Sequence, residues 1–133
     1  MILNDPLTLT KPLTLAGGLV GAKVFLTLDV ASLSGTGVYR LPSPATGTVT
    51  KLWSITKGAL TTGDATLTLV IGNDSTNGVV TITQAGSAAG DIDSAVPTDF
   101  NTVAAGDKLS MQVGGSNGAA VGATVIIEIT TTA

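Results

Sequence analysis

The sequence predicts an all-β domain, a β-sandwich or jelly roll of about 7–9 antiparallel strands with an extended N-terminal arm. Three observations predict it. Segments rich in Val, Ile, Leu and Thr alternate apolar and polar residues with period two, as in Lys23 to Val30 (KVFLTLDV). Clusters of Gly, Asn, Asp, Ser and Pro punctuate the chain between those segments. No stretch carries a sustained 3.6-residue apolar stripe with helix caps.

The first 21 residues form the predicted arm, and residues 22–133 the sandwich. The arm contains an internal echo, Pro6-Leu7-Thr8-Leu9 and then Pro12-Leu13-Thr14-Leu15. Each unit is a proline followed by apolar/polar alternation. Proline cannot donate to a ladder, so such a unit belongs on an edge or at a strand start. Two readings are open: an arm that adds to another sheet's edge, or an edge strand of its own domain. Leu7, Leu9, Leu13 and Leu15 are the candidate contact residues of the arm on the first reading. Ala16-Gly17-Gly18-Leu19-Val20-Gly21 reads as a joint.

Lys23 to Val30 is the first clean strand, with Val24, Leu26, Leu28 and Val30 inward and Phe25, Thr27 and Asp29 outward. Ser34-Gly35-Thr36-Gly37 ends it. Val38 to Leu41 is a short strand stopped by Pro42-Ser43-Pro44. Thr46 to Ile71 then reads as two strands, expected to pair, joined by Lys57-Gly58 and Thr61-Thr62-Gly63-Asp64. In the first, Val49, Trp53 and Ile55 share a face, although Lys51 and Leu52 break the alternation. Trp53, the single tryptophan, is therefore expected in the core rather than as a sugar platform. In the second, Ala65, Leu67, Leu69 and Ile71 share a face. Gly72 to Gly78 reads as a turn, Val79 to Thr83 as a strand, and Gln84 to Asn101 as a long irregular connection. Lys108 to Val113, with Leu109, Met111 and Val113 inward, and Ala123 to Thr131 complete the domain.

A chain of 133 residues is long enough for one domain with a modest core. Only 3% of residues are aromatic and 11% charged, against roughly 25% charged in an average domain. The mean hydropathy is nevertheless positive, +0.50. This combination predicts that another chain covers part of the apolar surface. A net charge of −3 with six scattered basic residues argues against nucleic acid. No charged n-region precedes an apolar run near Met1, and the run from Leu13 to Ala22 is too short to span a membrane. Synthesis in a cytoplasm is the expectation.

Catalytic chemistry has few candidates. His and Cys are both absent, which removes the commonest bases, nucleophiles and zinc ligands. Asp91 and Asp93, with Asp64, Asp74 or Asp99, offer oxygen ligands to calcium. Calcium takes about 6–8 oxygens and no EF-hand or glycine-aspartate repeat is present, so solvated loop aspartates are the favoured reading. Paired carboxylates for glycoside hydrolysis need an aromatic-lined cleft that one Trp and one Tyr do not supply. Gly114-Gly115-Ser116-Asn117-Gly118 has no following helix start or Lys-Ser/Thr, so it is not a phosphate loop. Asn73-Asp74-Ser75 matches a glycosylation sequon, which carries no meaning without secretion. The expectation is a protein that is not an enzyme and holds no cofactor or metal.

One resemblance is more specific. The run from Tyr39 to Thr130 resembles a group of small bacteriophage structural proteins encoded among head genes. It is carried by Leu41-Pro42-Ser43-Pro44-Ala45-Thr46-Gly47-Thr48-Val49-Thr50-Lys51 and by Gly58-Ala59-Leu60-Thr61-Thr62-Gly63-Asp64-Ala65-Thr66-Leu67-Thr68. Gly86-Ser87-Ala88-Ala89-Gly90-Asp91-Ile92-Asp93-Ser94-Ala95 and Asn101-Thr102-Val103-Ala104-Ala105-Gly106-Asp107 continue it. The resemblance implies a head decoration or cement protein: a β-sandwich module, often a homotrimer, on the capsid exterior, bound to the major capsid protein and bracing capsomers. With it, Leu7, Leu9, Leu13 and Leu15 of the arm become candidate capsid or intersubunit contacts; nucleic-acid and membrane partners are not expected, on the charge and run length above. Ala105-Gly106-Asp107-Lys108-Leu109 is also similar to the Gly-Asp step of trimeric jelly rolls of the tumour-necrosis-factor type, which implies a receptor-binding head of a fibre or spike. A lectin or carbohydrate-active enzyme is a third expectation, disfavoured by the scarcity of aromatic rings and acid pairs.

Overall fold

The computed structural model describes residues 20–132. Nine strands form among them: β1 (Lys23–Val30), β2 (Val38–Pro42), β3 (Gly47–Thr56), β4 (Ala65–Ile71), β5 (Asp74–Ile82), β6 (Ile92–Ala95), β7 (Thr102–Val103), β8 (Lys108–Gly115) and β9 (Ala123–Thr131). They make two sheets. The front sheet runs β1-β9-β3-β6, with β7 also on β3, and the back sheet runs β2-β8-β4-β5. Every pairing is antiparallel. The chain crosses between the sheets at every connection except β4 to β5 and β6 to β7, and its last strands return between its first ones. That order is a jelly roll of two Greek keys, with one edge strand broken into β6 and β7.

Inward-facing residues of the two sheets meet in one core. Leu52, Leu67, Leu69, Leu109, Met111, Ile127 and Ile129 are all fully buried. Completely burying a side chain of this size contributes about 1.5–3 kcal/mol, so a core without aromatic rings still holds the sheets together. The inward set of β1 packs against it as the alternation requires, with Val24, Leu26 and Leu28 partly buried on an edge strand and Val30 fully so. The predicted inward residues of β8, Leu109, Met111 and Val113, are likewise buried.

Three expectations are corrected. The two strands within Thr46–Ile71 exist, but they are not partners: β3 lies between β9 and β6 in the front sheet, β4 between β8 and β5 in the back. Alternation fixes a strand's faces but says nothing about its neighbours. The turn after β4 is only Gly72-Asn73, since Ile71 already pairs with Asp74. Gly72 at φ 63 supplies the positive φ that a two-residue hairpin needs at its first position. The polar residues Asp74 to Gly78 therefore belong to β5. They bulge where Asn77 bonds Thr98 and Asp99 of the opposite edge. Finally, the connection Gln84–Asn101 contains β6, which adds to β3 through Leu52↔Ala95 and Ile55↔Ile92.

Candidate functional site

The site begins with one extra residue. Val49 of β3 pairs with Ile129 of β9, but Lys51 pairs with Glu128, leaving Thr50 as a bulge. A bulge inserts one residue into the alternation and exchanges the faces beyond it. Val49 points inward as expected. After Thr50, the buried residues are Leu52, Ser54 and Thr56, while Trp53 is half-buried on the outer face and Ile55 is 41% exposed. The expectation of Trp53 and Ile55 in the core is thus overturned. The disturbance at Lys51-Leu52 was the sequence signal of this exchange.

Trp53 and Ile55 do not stand alone. Trp53 pairs directly with Ile126 of β9, and Ile55 with Ile92 of β6. Phe25 of β1 completes the row, its ring 6.4 Å from that of Trp53 and tilted by 42°. One apolar stripe therefore crosses β1, β9, β3 and β6 of the front sheet on its outer side. Its most exposed members are Ile92 at 68% and Phe25 at 57%. With Thr124 they line a shallow open cavity of about 350 Å³. Contiguous apolar surface of this kind marks a contact site, whereas a single exposed isoleucine would not.

Charged groups frame the stripe at both ends. At one, Lys57 Nζ lies 2.6 Å from Asp29 Oδ1. At the other, the Glu128 carboxylate accepts from Thr50 Oγ1 at 2.6 Å and pairs with Lys23 Nζ at 3.3 Å. The Thr50 hydroxyl first, then Lys23, hold the Glu128 carboxyl below its usual range, against the partial desolvation that raises it. Lys51 lies with its ammonium 5.0 Å from the Trp53 ring centre, within cation–π range. An apolar centre with a polar rim is the anatomy of a protein–protein interface.

The carboxylates do not converge. Asp64 accepts from the Gln84 amide and so ties the chain before β4 to the chain after β5, whereas Asp91 accepts from the Ala88 amide and Asp99 from the Phe100 amide, each within its own turn. Asp93 faces inward opposite Ser54, where burial and then the Asp91 charge raise its pKa. Among the described residues, no group of three or more acidic side chains is placed to hold a metal ion, and no helix is long and apolar enough to cross a membrane. A second cavity, between Ile71, Asp74, Phe100 and Asp107 at one end of the sandwich, also measures about 350 Å³. Asp107 there caps the turn at Ala104. Leu7, Leu9, Leu13 and Leu15 lie outside the described residues.

The outward position of Phe25 was legible from β1 alone. Ile92 and Ile126 were not singled out, because neither strand's neighbours were known. Compared with known proteins, the chain matches no protein-family model and no curated protein.

Proposed function

We propose that this protein is a structural component of a virion that decorates and stabilises a bacteriophage capsid, binding the major capsid protein on the outer surface and bridging capsomers as a homotrimer. The observation that carries the reading is the apolar stripe Phe25–Ile126–Trp53–Ile55–Ile92, framed by ion pairs. A cement protein needs a rigid scaffold and surfaces that bury area on its own copies and on the shell. A closed jelly roll supplies the first, and the stripe is a surface of the second kind. The resemblance carried by Leu41–Lys51, Gly58–Thr68, Gly86–Ala95 and Asn101–Asp107 points the same way. The test is binding of the purified protein to capsids assembled without it. Saturable binding with a raised capsid disruption temperature is expected. Failure to bind, with no change in disruption temperature, overturns the proposal.

The aromatic pair Phe25–Trp53 on the outer face gives a second reading some support: the receptor- or glycan-binding head of a fibre or spike. Two features count against it. Lys51 already lies over the Trp53 ring, and the surrounding side chains are nearly all apolar, leaving few groups to bond sugar hydroxyls. A glycan array on which binding is lost with Trp53→Ala would favour this head over cement.

A further inference from the structure

We infer that the front-sheet stripe is the seat for residues 6–15 of a neighbouring copy, so that copies are linked by exchange of their N-terminal segments. This deepens the cement reading and rests on it for the expectation that copies are linked, but its test requires no capsid.

The first argument is complementarity of pattern. Leu7, Leu9, Leu13 and Leu15 all fall on the same parity, with Thr8, Thr10 and Thr14 on the other. In extended conformation such a segment presents its four leucines on one side, with Lys11 of the same parity between Leu9 and Leu13. From Leu7 to Leu15 that row measures about 26 Å at the strand rise. The stripe runs diagonally from Phe25 on β1 across β9 and β3 to Ile92 on β6, about 20 Å between outer backbones. The leucine row is long enough to cover the stripe, and its leucines share the stripe's apolar chemistry.

The second argument concerns proline. Pro6 and Pro12 share one parity, so only one edge of the extended segment lacks those amide donors and the other can still pair. Seating leucine side chains on a sheet face requires no ladder at all, so the prolines are compatible with it.

The third argument is where the described chain begins. Ala22 still follows the register of β1, its carbonyl accepting from the Thr131 amide, and the Gly21 amide donates to Thr131 O. The chain therefore enters the front sheet from the end away from Ile55 and Ile92. Reaching its own stripe would require complete reversal within the few residues between Leu15 and Gly21. A neighbour lying beyond that end of the sheet could be reached by a segment that simply continues outward. At the same time, 19 residues precede Val20, and at about 3.3 Å each they span the separation between adjacent domains of this size.

Trp53, the single tryptophan, sits in the middle of the proposed seat and reports on it directly. The experiment follows Trp53 emission and acrylamide quenching in the full chain over a dilution series. It compares the wild type with Leu13→Ser/Leu15→Ser and with the opposite-parity control Thr10→Ser/Thr14→Ser. The expected result is a Trp53 that is shielded at high concentration and exposed on dilution. It should be exposed at every concentration in the leucine variant and unchanged in the control. Three results overturn the inference. Quenching that is identical in all three proteins would show that the segment does not reach the stripe. Shielding that survives the leucine substitutions would mean that a different surface of a second copy covers it. Shielding that the leucine substitutions abolish but dilution does not would place the segment on its own copy. Loss of capsid binding with the expected fluorescence pattern would sink the cement reading and leave the exchange standing.

Discussion

Replacing Ile55 and Ile92 together by Thr separates the fold from the contact made on its surface. The two face each other across β3 and β6, and in the isolated chain they are 41% and 68% exposed. About one whole isoleucine side chain is therefore left in water, available for a partner to bury. Thr keeps the branched Cβ that suits a strand. The atoms it removes are the outer ones, which water already reaches, so the isolated fold should lose less than about 1 kcal/mol. In the assembly, the missing apolar burial is worth about 2 kcal/mol per seat, or roughly 30-fold in the association constant. Denaturant unfolding of the dilute protein reads the first quantity, and mass by light scattering across a dilution series reads the second. Unchanged association would show that the stripe is not the contact. A loss above about 3 kcal/mol in the dilute protein would refute the reasoning differently, since these side chains would then be supporting the core.

Three further expectations test the fold around the site. Gly47→Ala should destabilise by about 2–3 kcal/mol, because a Cβ there would sit 2.2 Å from the Thr130 carbonyl oxygen; Gly58→Ala, which meets only Val121 side-chain carbons at 3.4 Å, should be neutral or slightly stabilising, and equal denaturation midpoints for the two would refute the packing argument. Thr76→Val should stabilise by about 1 kcal/mol, since the Thr76 hydroxyl is buried without a protein hydrogen-bond partner; calorimetry showing a lower Tm would contradict it. Asp93 has its pKa raised above 3.8 by burial and then by Asp91, so its contribution to stability is fully present below 3.8 and lost as pH rises through the native value. Asp93→Asn should therefore raise stability at neutral pH and remove that site's acid-side dependence. A denaturation midpoint at neutral pH no higher than that of the wild type would rule this out.

Most of the fold was legible because most strands keep strict alternation. Lys23–Val30 and Ala123–Thr131 need no tertiary information, since each has one apolar face and is bounded by glycine or polar turns. β5 and β6 were less legible for a definite reason. Asp74 to Gly78 has the composition of a turn, yet it is held in the sheet by pairing with β4 and by the bonds from Asn77 to the opposite edge. Ile92 to Ala95 has four residues and gains its strand character from β3. Such segments become strands because a neighbour offers a ladder, and that neighbour is distant in sequence.

The stripe was hidden for the same physical reason that it exists. Without Thr50, unbroken alternation would carry Trp53 and Ile55 into the core and turn Leu52, Ser54 and Thr56 outward. With it, β3 beyond the bulge is inverted: hydroxyls face inward and the tryptophan faces out. The inner side accommodates Thr56, which bonds the Ala88 carbonyl while the Asp91 and Gly90 backbones close over the end of the strand, but the Ser54 hydroxyl is buried without a protein partner. The same inversion appears on β6, where Ile92 is outward and Asp93 inward. Two neighbouring strands that place small polar groups inside and large apolar groups outside lose stability in the isolated chain on both counts. Covering the outer face by another chain recovers that loss. The inversion is therefore a stronger argument for a contact surface than the exposure of any single side chain, and Thr50, held by Glu128 and Thr130 at the rim, is the residue on which it depends.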